Sequence, residues 1–312
     1  MLIILSLALF VAFVFGWNNS SLCTGGLTSS GFLSYKKSVA LASLGLALGS
    51  LIEGGKMKTS LIGFVTESTS TFALLSILIT TLSLMLILTL LPIPVSLSHL
   101  IVGAYVGANF ATGSLIDINA LGLIILSWLL VPVFSAIITM LLYLLITRIA
   151  QHFSLLTLDA FNRIAIMTVV FYIAYALGAN NIGMINSLYM PFVYDNLVLP
   201  ELMILIISIS AITGIVIFGK RITKTVGEDL IVLSPKGVLT GMFSSALLMW
   251  LFTQFSIPIS MTQAIVGGIV GAGLVKRNVI FNRIILYEII GSWVAVTTIG
   301  FMISVLIMRF FG

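Results

Sequence analysis

The sequence predicts an all-α protein that crosses a membrane several times, and three observations carry this prediction. Of its 312 residues, 60% are hydrophobic and only 7% are charged, whereas a soluble domain usually carries about 25% charged residues. Several apolar runs almost free of charge are long enough to cross a bilayer, which takes about 20 residues. The third observation is that the pattern of the first half recurs in the second half. The expected location is therefore the cell membrane, with a multi-pass topology.

One duplicated segment shows the internal repeat most clearly. The 15 residues that begin at Pro94 align with the 15 residues that begin at Pro258, and eight of the 15 positions are identical. Three shorter matches keep the same order and nearly the same spacing: Gly16–Asn19 with Gly178–Asn181, Gly55–Lys56 with Gly219–Lys220, and Ser127–Trp128 with Ser292–Trp293. Four matches in one order indicate a duplication.

The duplication divides the chain into a first repeat at 1–150, a connecting loop at 151–162 and a second repeat at 163–312. Each repeat offers about five membrane segments, and an odd number inverts the second repeat relative to the first. The predicted segments are 2–34, 38–55, 68–91, 95–110 and 119–147, followed by 163–193, 199–219, 237–254, 259–275 and 283–310.

The distribution of Lys and Arg supports this topology. If the loop at 220–236 is cytoplasmic, 11 of the 14 basic residues lie inside, as the positive-inside rule expects. Inverted repeats of this kind are typical of transporters that bind substrate near the midplane, between the repeats.

Two kinds of segment depart from simple helices. The segments 2–34 and 163–193 are too long for one straight crossing, and each carries an Asn pair near its middle. We therefore expect a helix break at each pair. The segments 95–110 and 259–275 are short, follow a proline and open with hydroxyl residues. They predict half-helices that begin inside the protein.

The starts of the half-helices predict a binding site for a tetrahedral oxyanion. A helix N-terminus presents free N–H groups and a positive dipole end, and hydroxyl and amide side chains add donors. Each residue could instead serve only as an N-cap or satisfy freed backbone groups, but the duplication favours a shared site. The predicted substrate-binding residues are Asn18, Asn19, Ser96, Ser98, Asn180, Asn181, Ser260 and Thr262.

His99, Gln263 and Glu288 are candidates for coupling transport to an ion. His99 could shuttle protons or form a neutral hydrogen bond within its half-helix. Glu288 lies in an apolar segment, where an ionisable residue is a functional candidate, although it could pair with Arg283 instead. Cys23 is the only cysteine, so no Cys/His metal cluster or other cofactor is expected.

The duplicated motifs resemble those of the inorganic phosphate transporter family. The Asn pairs resemble its Gly-Ala-Asn-Asp motif, and Pro94–His99 and Pro258–Gln263 resemble its Pro-Val-Ser-Thr-Thr-His motif. The stretch 219–241 is similar to the connection between these motifs, so the resemblance covers nearly the whole chain and identifies a short, divergent member. It implies uptake of inorganic phosphate coupled to sodium or protons.

The sequence departs from the family pattern at the acidic positions. The aspartate of the motif is Asn19 in the first repeat and Asn181 in the second, and a glutamate expected in the second helix is Leu46. The resemblance implies a sodium ion near Asn19 and Asn181. Because carboxylate charge favours cation binding, the two amides predict altered cation coupling.

The sequence therefore predicts an ion-coupled secondary active transporter of inorganic phosphate. One alternative is a permease for another oxyanion such as sulfate, because a site without carboxylates loses an acceptor for the proton of phosphate. The other is a transport-inactive sensor or assembly subunit. An enzyme is not expected, since no nucleophile–base pair is evident. Scattered basic residues exclude a nucleic-acid surface. Membrane lipid is the expected surrounding partner, and a homo-oligomer is left open.

Overall fold

The computed structural model describes residues 2–29, 33–58, 70–91, 93–189, 200–229, 235–276 and 283–312, which are almost entirely helical. The first repeat contains α1 (Leu2–Ser29), α2 (Tyr35–Glu53), a 3₁₀ turn (Gly54–Lys58), α3 (Thr71–Leu90), α4 (Leu97–Thr112) and α5 (Ile118–Ala150). The second contains α6 (Leu155–Leu177), a π-helical turn (Gly178–Ile182), α7 (Gly183–Tyr189), α8 (Pro200–Asp229), α9 (Pro235–Gln254), α10 (Met261–Lys276) and α11 (Arg283–Phe311).

The predicted membrane architecture is confirmed. Eight helices of the described residues are long and apolar enough to cross a bilayer. The two half-helices are also confirmed, since α4 and α10 have 16 residues each, or about 24 Å at 1.5 Å per residue. The polar stretch 151–162 consists of a four-residue link and the first two turns of α6.

Each major helix contact between the repeats has a counterpart in which the two repeats swap roles. In one pair, α1 packs on α8 and α6 packs on α2. In another, α4 packs on α11 and α10 packs on α5. The short helices α4 and α10 also pack against the helix that precedes each of them, so α3–α4 and α9–α10 form two helical hairpins. This exchange of partners is what a duplicated architecture requires.

Glycines allow α4 and α10 to approach the last long helix of the opposite repeat, as the Gly-x-x-x-Gly spacing predicts. A Cβ atom at Gly103 would lie 2.3 Å from the carbonyl oxygen of Thr297. At the equivalent Gly267 it would lie 2.1 Å from the carbonyl oxygen of Pro132. Both distances are far below van der Waals contact, so neither position has room for a side chain.

The long first helix of each repeat corrects one prediction. In the first repeat α1 is continuous through Asn18 and Asn19, so the helix break expected there is not observed. In the second repeat the Asn pair lies in the π-helical turn, which interrupts the α-helical hydrogen bonding without breaking the rod. Both Asn pairs are buried among neighbouring helices. Contacts with Thr89, Ile93 and Val95 satisfy the amide of Asn18 without a helix break, whereas the side-chain oxygens of Asn180 and Asn181 have no donor.

Candidate functional site

The two hairpins meet at their tips. We call residues 93–99 the first tip and residues 257–263 the second tip. The Ser98 hydroxyl donates a hydrogen bond to the carbonyl oxygen of Ile259 (3.3 Å), and both residues are buried. The indole Nε1 of Trp128, on α5, donates to the carbonyl oxygen of Pro258 (3.3 Å). The beginnings of α4 and α10 therefore lie together at the centre of the protein.

Each tip carries a pair of hydroxyl groups two residues apart. The hydroxyl oxygens of Ser96 and Ser98 lie 2.9 Å apart in the first tip, and those of Ser260 and Thr262 lie 2.8 Å apart in the second. All four side chains are buried. The structure thus brings the four predicted hydroxyl residues into one region.

The two helix starts differ in their capping. Ser260 accepts a hydrogen bond from the backbone N–H of Gln263 (3.3 Å) and so acts as an N-cap. Ser96 holds the N-cap position of α4 without capping the helix through its side chain. The first-turn N–H groups of α4 therefore lack a side-chain cap and are suited to an external acceptor.

His99 links the two tips through both ring nitrogens. Its Nδ1 lies 2.7 Å from the Ser96 hydroxyl oxygen, and its Nε2 lies 3.4 Å from the amide Nε2 of Gln263. An amide NH₂ can only donate, so in this arrangement His99 accepts at Nε2 and donates from Nδ1 to Ser96. The imidazole also stacks on Trp128, with ring centroids 3.8 Å apart. The neutral ring thereby fixes the direction of the hydroxyl hydrogen bonds in the first tip.

The electrostatics of the meeting point favour an anion. Two helix N-termini with the same sign of dipole face each other there, and each carries about half a positive charge. The stretches 91–99 and 255–263 contain no carboxylate. The buried hydroxyls now bond to neutral oxygens, but an anion is a stronger acceptor and can redirect them. A tetrahedral oxyanion matches this set of donors.

The first Asn of each pair holds a hairpin tip in place. The amide nitrogen of Asn18 donates to the Thr89 hydroxyl (3.0 Å) and the Ile93 carbonyl (3.0 Å), and its oxygen accepts from the N–H of Val95 (2.9 Å). The equivalent amide of Asn180 donates to Thr253 (2.9 Å) and to the Ile257 carbonyl (3.3 Å). Both amides therefore position the tips, and their predicted contact with substrate stays a prediction.

The second Asn of each pair is buried beside the first. The amide nitrogen of Asn19 donates to the carbonyl oxygen of Phe15 one turn earlier (3.2 Å). In the second repeat, the side-chain oxygens of Asn180 and Asn181 are buried with no hydrogen-bond donor. A buried acceptor without a partner is costly, and an amide oxygen is an acceptable ligand for a hard cation. Among the described residues, no group of three His, Cys, Asp or Glu side chains forms a metal site.

Sequence reasoning missed one contact within the site and one polar cluster outside it, and one candidate lies beyond what is described. The stacking of Trp128 on His99 was not foreseen. Neither was a cluster around Glu53, whose partners lie about 200 residues away in sequence. Glu288 lies on α11, but its side chain is outside the described residues. Its predicted role stays a prediction.

Comparison with known proteins gives the relatives of the whole chain. The sequence profile described as the phosphate transporter family matches residues 15–304. A Methanocaldococcus jannaschii protein named "Putative phosphate permease" is 28% identical over 305 residues, which cover 98% of this chain and 96% of that protein. The sulfate permease CysP of Bacillus subtilis is 25% identical over 313 residues, covering 97% of this chain and 86% of its own.

A solved structure shares the fold. The sodium-dependent phosphate transporter superimposes with a TM-score of 0.86 at 19% identity and covers 99% of this chain and 98% of its own. This likeness confirms the all-α, multi-pass membrane architecture. The match of the family profile over nearly the whole chain adds that the protein is a transporter and not an enzyme. The chain belongs to the phosphate transporter family.

Proposed function

We propose that the protein is a secondary active transporter that binds inorganic phosphate where the two hairpin tips meet. The observation that carries this proposal is the burial of four hydroxyl groups at two facing helix N-termini: Ser96, Ser98, Ser260 and Thr262. Hydroxyl and backbone N–H donors complement the oxygens of a tetrahedral anion.

The strength of the donor set suits transport. A buried Lys or Arg would form short, charge-assisted hydrogen bonds that hold the anion strongly. The two tips contain neither residue. Neutral donors and helix dipoles select for negative charge and still allow release on the other side. An inverted-repeat transporter requires this because the same site must load and empty.

Sulfate is the second candidate substrate, favoured by one observation. The two tips contain no carboxylate. The aspartate of the family's Gly-Ala-Asn-Asp motif is Asn19 in the first repeat and Asn181 in the second. Monohydrogen phosphate carries a proton that a carboxylate could accept, whereas sulfate carries none. A site built only from donors therefore discriminates less strongly against sulfate.

The coupling ion follows from the same residues. The uncompensated oxygens of Asn180 and Asn181 fit a sodium ion, which would add positive charge beside the anion. Because two amides replace two carboxylates, the site carries less negative charge. Anion binding therefore needs less compensation by a bound cation. We propose that anion transport here depends less strictly on sodium than transport through a site with carboxylates, and that a proton can serve instead.

Uptake by purified protein in liposomes tests the proposed function. Labelled phosphate and labelled sulfate are offered separately under a sodium gradient, a proton gradient or neither. We expect phosphate accumulation under a proton gradient, with sulfate competing. Accumulation of sulfate alone would establish the second candidate. If the protein neither transports nor exchanges either anion, the alternative of a transport-inactive sensor or assembly subunit is favoured.

Restoring the acids tests the coupling. Asn19→Asp and Asn181→Asp each return a negative charge beside the proposed anion, so a bound cation becomes more favourable. We expect uptake to shift toward sodium dependence in the same liposomes, while Asn186→Asp, five residues further along, serves as the positional control. Strictly sodium-dependent uptake by the wild type, or no shift in the variants, would contradict this account of coupling.

A further inference from the structure

Glu53 lies at the end of α2 in a polar cluster that joins the two repeats. Its side chain is only 13% exposed. One carboxylate oxygen accepts from the indole Nε1 of Trp250 (3.2 Å), and the other accepts from the amide of Gln254 (2.7 Å). Both donors lie on α9, which belongs to the opposite repeat. The other acidic side chains that the structure describes are exposed: Asp117, Asp159 and Glu201.

Lys56 completes the cluster from the 3₁₀ turn. Its ammonium lies 3.5 Å from the carboxylate of Glu53 and also donates to the amide oxygen of Gln254. Its backbone carbonyl accepts from the hydroxyl of Ser256 (2.7 Å). Ser256 has a positive φ of 59°, a conformation that costs a non-glycine residue energy. The cluster therefore holds a strained turn at the end of α9.

This turn leads directly into the second tip. Thr253, beside Gln254, accepts the hydrogen bond from Asn180, and the second tip begins at Ile257, whose carbonyl Asn180 also contacts. Met57, beside Lys56, places its sulfur 3.8 Å from the same amide nitrogen. The Glu53 cluster and the Asn180 contacts are thus two parts of one joint between α2 and the second tip.

Among the side chains that the structure describes, no acid–lysine pair like that of Glu53 and Lys56 holds the first tip. Where α1 packs on the end of α8, which corresponds to the end of α2, the ring of Trp17 stacks on Phe218 with centroids 4.7 Å apart. The hydroxyl of Ser20 donates there to the carbonyl of Gly219 (3.2 Å). An apolar and hydroxyl-lined joint does not respond to protons, whereas a carboxylate paired with a lysine does. Among the described residues, the asymmetry therefore places a carboxylate–lysine pair at the second tip, whereas the titratable group of the first tip is the imidazole of His99.

We propose that Glu53 is a binding site for the coupling proton and that its protonation releases the second tip from α2. This inference rests on the proposed transport function. The proton adds to one carboxylate oxygen, and the resulting neutral acid no longer pairs with Lys56. When the acid returns the proton to water on the other side of the membrane, the ion pair forms again and the tip docks.

The groups that face Glu53 support a proton-sensitive contact. From the 3₁₀ turn, Lys56 supplies a positive charge 3.5 Å from the carboxylate. The phenol groups of Tyr175 and Tyr172, on α6, lie near enough to the carboxylate to interact with it electrostatically. The α9 partners, Trp250 and Gln254, are uncharged. Protonation therefore removes the ionic attraction between Glu53 and Lys56 and weakens the hydrogen bonds from Trp250 and Gln254, which no longer end on a charged group.

The decisive experiment separates exchange from accumulation. Glu53→Gln imitates the protonated acid permanently. We expect liposomes with this variant to exchange labelled phosphate near the wild-type rate. Accumulation driven by a proton gradient should fall about tenfold or more, a factor that corresponds to about 1.4 kcal/mol. Asp159→Asn removes an exposed carboxylate paired with Arg163 and is the matched control, for which both activities should persist.

A second variant keeps the test decisive if Glu53→Gln folds poorly. Lys56→Gln leaves the carboxylate but removes its cation, so the proton binds more readily. The pH at which uptake is half-maximal should rise by about one unit or more. A purely structural role would lower the rate at every pH without moving this midpoint. Proton-driven accumulation by Glu53→Gln, or an unmoved midpoint in Lys56→Gln, overturns the proposal. A wild type inactive in exchange would refute the proposed transport function instead.

Discussion

The two hairpin tips are built from duplicated residues but differ in how they are held. At the first tip, Asn18 uses both amide hydrogens and its oxygen, which accepts from the N–H of Val95. At the second tip, Asn180 makes the matching donations, but its oxygen remains buried with no donor. The helix that carries Asn18 is a regular α-helix, whereas Asn180 lies in a π-helical turn.

The same scaffold therefore holds its two tips in two ways. An inverted-repeat transporter changes the side to which it opens when the repeats exchange conformations. At any one stage of such a cycle, the two equivalent joints must adopt different conformations. The duplicated residues therefore supply the scaffold. The residues that are not duplicated, such as His99 opposite Gln263, make the two sides chemically distinct.

The largest effect is expected from filling the glycine contacts that both repeats share. Gly103→Ala and Gly267→Ala each place a Cβ atom within 2.3 Å of a backbone oxygen of the facing helix. Overpacking of this kind costs about 1–3 kcal/mol or more. Thermal unfolding in detergent should show similar losses for both variants, since the contacts are equivalent.

Gly122→Ala is the control for the glycine comparison. This glycine lies in α5 with open space around its Cβ position, and alanine favours a helix by about 1 kcal/mol. Its melting temperature should stay the same or rise. A loss at only one of Gly103 and Gly267 would show that the packing of the repeats is less symmetric than the structure indicates.

A smaller and unequal effect is expected from the two Asn residues that hold the tips. Asn18→Ala leaves the buried N–H of Val95 without an acceptor, at a cost of about 1–3 kcal/mol, and also removes two donated bonds. Asn180→Ala removes only donated bonds. Unfolding of the two variants should therefore show the greater loss for Asn18→Ala. Equal losses would mean that the Asn180 oxygen has a partner in the membrane.

The smallest effect is expected from the duplicated tryptophans. Trp128 is buried, stacks on His99 and donates to Pro258, whereas Trp293 is half-buried beside a cavity of about 300 Å³. Trp128→Phe should cost about 0.5–1.5 kcal/mol for the lost hydrogen bond, measured by thermal unfolding. Trp293→Phe should cost little. A larger loss at Trp293 would reverse the inferred asymmetry.

Much of the fold followed from the sequence because duplication made weak signals recur. The half-helices and their hydroxyl pairs were predicted from the proline and serine pattern at Pro94 and Pro258, and the structure brings those pairs together. The continuity of α1 was not predicted. Length and Asn content favour a break, and only tertiary contacts, here the bonds from Asn18 to the first tip, show how the polar groups are satisfied.

The missed features depend on distant contacts. Glu53 looks like an ordinary acidic residue at the end of an apolar segment, and its partners Trp250 and Gln254 belong to the other repeat. Likewise, no local pattern indicates that Trp128 covers His99. A contact between residues that lie far apart in sequence, with no duplicated counterpart, leaves no recognisable pattern in a single sequence.

Equilibrium binding tests the central claim, that the anion lies where the hairpin tips meet. Titration calorimetry of purified protein with phosphate, and separately with sulfate, compares the wild type with Ser96→Ala, Ser98→Ala, Ser260→Ala and Thr262→Ala. Each variant should bind more weakly by about 1–3 kcal/mol, since a buried donor to the anion is lost. Ser76→Ala, which removes a buried hydroxyl bonded to Ser304, should bind like the wild type. If all four folded variants also bind with wild-type affinity, the anion site lies elsewhere.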